Sequence, residues 1–169
     1  MLMRVAVDFD DVLADTFLAF EKVFGQAPDP TVEDLSNMFP GADVELVIES
    51  AEFHLGIPPI GGAARGVLWL IENGYKAFYL SSRPPVMEGP SMAWLERWHF
   101  PRLPLKCVGR ESKKEHLANE PYDILIDDQV GYLNIARRRG KRAIAFSNPW
   151  NQSWDGEMVD GWEDLIGIM

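Results

Sequence analysis

Three apolar runs in this chain end in groups that can do chemistry. Val5 to Val7 lead into Asp8, Asp10 and Asp11, Phe78 to Leu80 lead into Ser81 and Ser82, and Ile124 to Ile126 lead into Asp127 and Asp128. A lysine pair, Lys113 and Lys114, precedes the last run. Short β-branched or aromatic runs bounded by turn formers read as buried strands. Such a strand must stop where the acids begin, because an unpaired buried carboxylate is costly. Asp8 and Asp10 are therefore expected at the carboxyl end of a strand, where open α/β sheets hold their ligands. Two acids one residue apart can share a divalent cation, and one of them can attack an electrophile. The pattern points to metal-assisted chemistry on an anionic substrate, with a phosphate as the expected one. Together the three strand ends and the lysine pair supply a nucleophile, a second acid, a third metal ligand, a hydroxyl donor and a fixed cation.

The elements that must position these groups follow from periodicity. After the first strand, Leu13, Phe17, Phe20 and Phe24 space a helix over residues 13–25, with Gly25 as its stop. Residues 26–40 are rich in proline and acids and read as loop with one short helix. Val44, Val47, Ile48 and Ala51 predict a helix over 43–55, and Pro58-Pro59 breaks the chain before a helix over 63–73. From there strands and helices alternate: strand 76–80, helix 90–98, strand 105–108, a short helix at 113–118, strand 123–126, helix 130–139, strand 142–146 and a last helix at 161–168. Such alternation implies a parallel sheet of five strands covered by helices. Its strand ends would then share one edge. The helical material from about 15 to 62 breaks the alternation and reads as an insert after the first strand. The expected domains are an α/β core of residues 1–14 and 63–169 and a small helical cap of residues 15–62.

Bulk properties narrow the function classes. A chain of 169 residues suits one domain with a small insert, and no apolar run reaches the length of a membrane span. The start lacks a signal-peptide layout, and Cys107 is the only cysteine, so no internal disulfide can form. These features predict a cytoplasmic protein, and a homodimer is compatible with them. The formal net charge of −10 argues against binding a nucleic-acid polymer. It still allows a phosphate ester, because a metal, a lysine and backbone amides can supply local positive charge. The one basic cluster, Arg137 to Arg142, sits at the end of a predicted helix, where cations complement the helix dipole.

The four segments VAVDFDDVLADT, FYLSSR, SKKEHL and DILIDD resemble, in order, the motifs of the haloacid dehalogenase superfamily of phosphohydrolases. Within it the chain looks most like the small 5'-nucleotidases, including the 5'(3')-deoxyribonucleotidase group. That likeness rests on DFDDVLAD, the small insert after strand one, the Phe146–Asn151 segment and the closing Asp160–Leu165. Asp11 stands where the family often has glycine. The resemblance implies a three-layer, doubly wound, Rossmann-like parallel sheet with a helical cap after strand 1. It implies a Mg2+-dependent phosphomonoester hydrolase acting on nucleoside or deoxynucleoside monophosphates. Asp8 would be the nucleophile that forms an aspartyl-phosphate, and Asp10 the general acid and base, with a pKa raised by neighbouring charge. Ser81 and Ser82 would bind the phosphoryl group, and Lys113, or its neighbour Lys114, would offset charge in the transition state. The Mg2+ ligands would be the Asp8 carboxylate, the Asp10 carbonyl and Asp127, with Asp128 as the alternative to Asp127.

Other readings compete for the same residues. Taken alone, Asp10 and Asp11 before a helix are ordinary caps, and Ser81 and Ser82 could cap a loop. Arg83 could lie near the phosphate or pair with a surface acid. His54, His99 and His116 show no metal-ligand spacing and read as structural or solvent-facing. Trp69, Trp94 and Trp98 read as core. Phe17, Phe20, Phe39 and Phe53 suit either a nucleobase pocket or the core of the insert. Two other functions fit the motifs less fully: a phosphatase of sugar phosphates or other small phosphomonoesters, and a non-catalytic binding module of the same fold.

Overall fold

The computed structural model describes residues 2–27, 29, 35–48 and 50–169. Six parallel strands form one sheet in the order β3-β2-β1-β4-β5-β6. They are β1 (Arg4–Val7), β2 (Lys76–Ser81), β3 (Leu105–Cys107), β4 (Ile124–Asp127), β5 (Arg142–Phe146) and β6 (Glu157–Val159). Side chains alternate across the sheet. Val5, Val7, Tyr79, Ile124, Ile126, Ile144 and Phe146 enter one core layer, and Ala6, Phe78, Leu80, Leu125 and Ala145 enter the other. Strands buried on both faces are nearly continuous in apolar residues for this reason.

Helices α5 (Ala63–Glu72), α6 (Glu88–Arg97) and α9 (Trp162–Ile168) cover the first face through Val67, Leu70, Trp94, Leu95, Trp162 and Leu165. Helices α7 (Arg110–Asn119) and α8 (Val130–Arg138) cover the second through Leu117, Leu133 and Ala136. The result is the expected three-layer α/β fold. The strand order reverses its direction of growth between β1 and β4, and a crevice opens there at the carboxyl ends. The basic cluster is structural: Arg137 pairs with Asp155 at 2.7 Å, and Arg139 donates to the Leu117 carbonyl at 2.6 Å.

The helical insert follows β1 as α1 (Thr16–Phe24), α2 (Leu35–Met38), α3 (Val44–Ile48) and α4 (Ala51–Gly56). Its own apolar cluster holds Phe20, Met38, Phe39 and Val44, joined by Trp150 from the loop after β5. Where the chain leaves and re-enters the sheet, Ala14 bridges Pro59, and the Asp15 amide donates to the Pro58 carbonyl at 2.9 Å.

The structure corrects several sequence expectations. The sheet has six strands, not five, because β6 carries only Met158 and Val159 between acidic residues and so shows no apolar run. The helix expected from residue 13 starts at Thr16, where the Asp15 side chain accepts from the Leu18 amide. Residues 9–14 instead close a tight turn, with the Leu13 and Ala14 amides donating to the Phe9 carbonyl. The helix expected over 43–55 is two helices, because Ser50 caps α4 by accepting from the Phe53 amide at 3.2 Å. Helix α7 starts at Arg110, one turn ahead of the lysine pair. Part of the loop expected over 26–40 lies outside the described residues.

Candidate active site

Strand β1 delivers Asp8 to the crevice, where the Asp8 amide still donates to the Ile126 carbonyl on β4 at 2.9 Å. The chain then turns sharply through Asp11, whose φ of 58° lies in the left-handed region. Glycine meets that demand freely, and aspartate is among the residues that tolerate it. The Asp11 side chain also accepts from the Phe17 amide at 2.9 Å, tying the turn to the first turn of α1. Asp11 thus fills the backbone role of the expected glycine and adds a cap.

At the centre, Lys113 is fully buried. Its ammonium lies 2.6 Å from Asp8 Oδ1 and 2.8 Å from Asp127 Oδ2. Helix α7 aims Lys113 inward, whereas Lys114 points out and pairs with Glu111 at 2.7 Å. The phase of the helix therefore separates two lysines that their sequence left equivalent. Burial works against the charge on Lys113, but the Asp127 and Asp8 carboxylates outweigh it and raise the pKa.

The two late acids differ in surroundings. Asp127 gives Oδ2 to Lys113, and its Oδ1 accepts from the Gln129 amide at 3.0 Å. Asp128 lines the cavity and receives both its side-chain donors on one oxygen. Gln129 Nε2 and Trp150 Nε1 donate to Oδ2 at 2.9 and 2.8 Å. Oxygens of Asp8, Asp127 and Asp128 lie within 4.8 Å of one another. Three carboxylates against one ammonium leave two negative charges in a buried space. That imbalance suits one divalent cation with oxygen ligands. It also shows in the acidities. Burial first, and then the Asp127 charge, push Asp8 up to about 7 against the pull of Lys113. Burial and the Asp8 charge push Asp128 well above the carboxylate range.

Asp10 follows a different logic. Its carboxylate takes a forked pair from Arg83, with Nη2 2.6 Å from Oδ1 and Nε 3.0 Å from Oδ2, and a hydrogen bond from Thr16 Oγ1 at 2.6 Å. Burial acts to raise its pKa, but Arg83 and Thr16 overcome that and hold it below the usual value. The raised pKa expected for Asp10 is therefore not found: a buried arginine, not a neighbouring acid, dominates its surroundings. Arg83 is fixed in turn by Ser91 at 2.9 Å and by the Phe9 ring face, 4.2 Å from the guanidinium carbon.

The cavity over these groups encloses about 450 Å³. Its floor includes Asp8, Asp10 and Asp128, and its apolar wall is Phe17, Phe20, Met38 and Ile48 from the insert. Ser82 lines it. Ser81 lies deeper, fully buried, accepting from the Arg83 amide at 3.1 Å. Arg110 and Lys114 stand on its rim. His54 lines it too, which the lack of metal-ligand spacing did not suggest. Its Nε2 lies 2.6 Å from the Ile48 carbonyl, and burial and the Arg83 charge lower its pKa to about 4. Arg83, expected near the phosphate or on a surface acid, instead clamps Asp10 in the site, and the bond from Trp150 to Asp128 is the other feature that no local pattern announced.

No protein-family model and no curated protein matches the chain. Solved structures do, and they share its three-layer α/β fold. A hydrolase from Pseudomonas syringae superposes with a TM-score of 0.64 at 13% identity, over 98% of this chain and 97% of that one. A predicted phosphatase from Clostridium acetobutylicum gives 0.62 at 16% identity, over 99% and 98%. The Pnkp1/Rnl/Hen1 complex gives 0.55 at 16% identity, over 85% of this chain, which spans only 46% of the chain it matches there. At these identities the likeness is one of fold.

Proposed function

We propose that this chain is a Mg2+-dependent phosphomonoester hydrolase that works through an aspartyl-phosphate on Asp8, with nucleoside or deoxynucleoside monophosphates as substrates. The observation that carries the reading is the Lys113 ammonium held between Asp8 and Asp127, at 2.6 and 2.8 Å. It fixes Asp8 Oδ1 and leaves Oδ2 with no hydrogen bond among the described residues. That second oxygen is the nucleophile.

Asp8, Asp128 and the Asp10 carbonyl would hold the cation. Asp127, whose oxygens serve Lys113 and the Gln129 amide, would hold the lysine instead. The cation would neutralise the phosphoryl oxygens so that one anion can approach another. Asp8 attacks phosphorus, the ester oxygen leaves, and water then cleaves the acyl phosphate. This splits one hard displacement into two. Lys113 offsets charge on the transferring group. Ser82, on the cavity wall, and Ser81 behind it would serve the phosphoryl oxygens. Arg83 keeps Asp10 ionised, the form that takes a proton from the attacking water. Before that, Asp10 must carry a proton to the leaving oxygen, so its hold on Arg83 must loosen in the substrate complex.

Residues 15–62 would act as the cap and residues 1–14 and 63–169 as the catalytic core. The apolar wall of Phe17, Phe20, Met38 and Ile48 supports a planar leaving group such as a nucleoside. The test is a panel of phosphomonoesters with Mg2+. Nucleoside monophosphates are expected to turn over best, and Asp8→Asn to lose activity by a factor on the order of 10³ or more. Preference for sugar phosphates would overturn the nucleotide assignment. Activity unchanged in Asp8→Asn would remove Asp8 from its role, and absence of any turnover would leave a binding module.

A further inference from the structure

Asp128 is held by more than its own strand. The loop after β5 makes a single 3-10 turn over Pro149–Asn151, closed by reciprocal bonds between Asn148 and Asn151. From that turn, Asn151 Nδ2 donates to the Asp128 carbonyl at 2.8 Å and to the Phe146 carbonyl at 2.7 Å. Trp150 Nε1 donates to Asp128 Oδ2 at 2.8 Å. One turn thus grips both the backbone and the side chain of the acid. The other face of the same indole belongs to the insert. Trp150 stacks on Phe17 of α1, with ring centroids 4.0 Å apart and planes 27° from parallel, and it joins the cluster of Phe20, Met38, Phe39 and Val44. Phe17 is itself set by the Asp11 cap on its amide.

We infer that Trp150 is a positioning residue that joins the seat of the insert to the cation site, so that contact between Phe17 and Trp150 helps set the affinity of Asp128 for Mg2+. The inference rests on the reading above that Asp128 is a direct ligand. Its physical basis is the direction of the carboxylate. With Oδ2 taken by two donors, rotation of the group is restrained, and an oxygen of Asp128 is held within 4.8 Å of oxygens of Asp8 and Asp127. Partners one bond removed from a metal typically change affinity by about 10- to 100-fold when lost. The coupling is reciprocal, as all linked binding is: a bound cation must also steady the Phe17 end of α1.

Two substitutions separate the links. Trp150→Phe keeps an aromatic ring against Phe17 and loses the N–H, whereas Phe17→Ala keeps the N–H and loses the stack. Mg2+ titration calorimetry of the full chain is expected to show affinity weakened about tenfold in Trp150→Phe and several-fold in Phe17→Ala. The rate of phosphomonoester hydrolysis in Trp150→Phe should recover at saturating Mg2+, which a merely structural defect would not allow. Hydrogen exchange of the wild-type chain supplies a readout free of substitutions: Mg2+ should slow exchange of amides in residues 16–24. Affinity within twofold of wild type in either variant, or exchange in α1 indifferent to Mg2+, would overturn the inference. A wild-type chain that binds no Mg2+ would instead overturn the functional reading beneath it.

Discussion

Lys113 and Arg83 divide the acids of the crevice into two electrostatic groups. Arg83 neutralises Asp10, while Lys113 leaves the Asp8, Asp127 and Asp128 group two charges short. The second group makes stability depend on pH in a defined direction. Asp8 has a folded pKa of about 7, above its ordinary 3.8, and Asp11 and Asp128 shift the same way. A carboxyl whose folded value is raised binds its proton more tightly when folded. Its contribution is full below the unfolded value and is lost as pH rises through the folded one. The metal-free protein should therefore lose stability as pH rises from about 4 to 7, by up to about 1.4 kcal/mol per pH unit for each such group. Asp10, with a lowered value, acts in the opposite sense, and only as pH falls below the ordinary carboxylate range. Mg2+ should remove most of the loss by binding the ionised form. Calorimetric Tm values across that range, with Mg2+ and with chelator, check this. A metal-free Tm that climbs with pH would contradict the charge assignment.

The elements are held to the site by close contacts at a few positions. Gly66 on α5 packs against α9 so tightly that an added Cβ would sit 2.1 Å from Trp162 Cε3. The ring cannot easily yield, because Trp162 Nε1 donates to the Val12 carbonyl at 2.8 Å, in the turn after Asp10. Alanine favours a helix over glycine by about 1 kcal/mol, yet overpacking costs about 1–3 kcal/mol, and more for a rigid neighbour. Gly66→Ala should lower the urea midpoint with its slope unchanged, and a midpoint at or above wild type would show that α9 can move away. Much at this scale was legible in the sequence. The strands around Val5–Val7, Phe78–Leu80 and Ile124–Ile126 announced themselves by apolar runs ending in polar groups. Less was legible where the deciding contact is distant. Lys113 and Lys114 are equivalent until α7 has a phase. Arg83 reaches Asp10 across 73 residues, and Trp150 reaches Asp128 through a turn whose role no local pattern encodes. β6 offers only Met158 and Val159 between Glu157 and Asp160, too little apolar sequence to mark a strand.

For the whole molecule, the sheet order is what turns scattered motifs into one place. Lys113 and Asp8 are 105 residues apart and meet because β1 and β4 are neighbours where the sheet changes its direction of growth. The insert returns beside its own departure point at Ala14 and Pro59, so its apolar wall hangs over the same crevice. On the proposed reading, a chain of net charge −10 receives a phosphate ester at one spot, where Lys113, Arg83 and a bound divalent cation would oppose the overall field. The most direct test of this convergence is chemical trapping of the covalent intermediate. The wild-type protein would be mixed with Mg2+ and a turned-over phosphomonoester, quenched in acid and reduced with borohydride, and its peptides read by mass spectrometry. An acyl phosphate on Asp8 should appear as homoserine at position 8 and at no other acid. Reduction at a different residue, or none during steady turnover, would contradict the account.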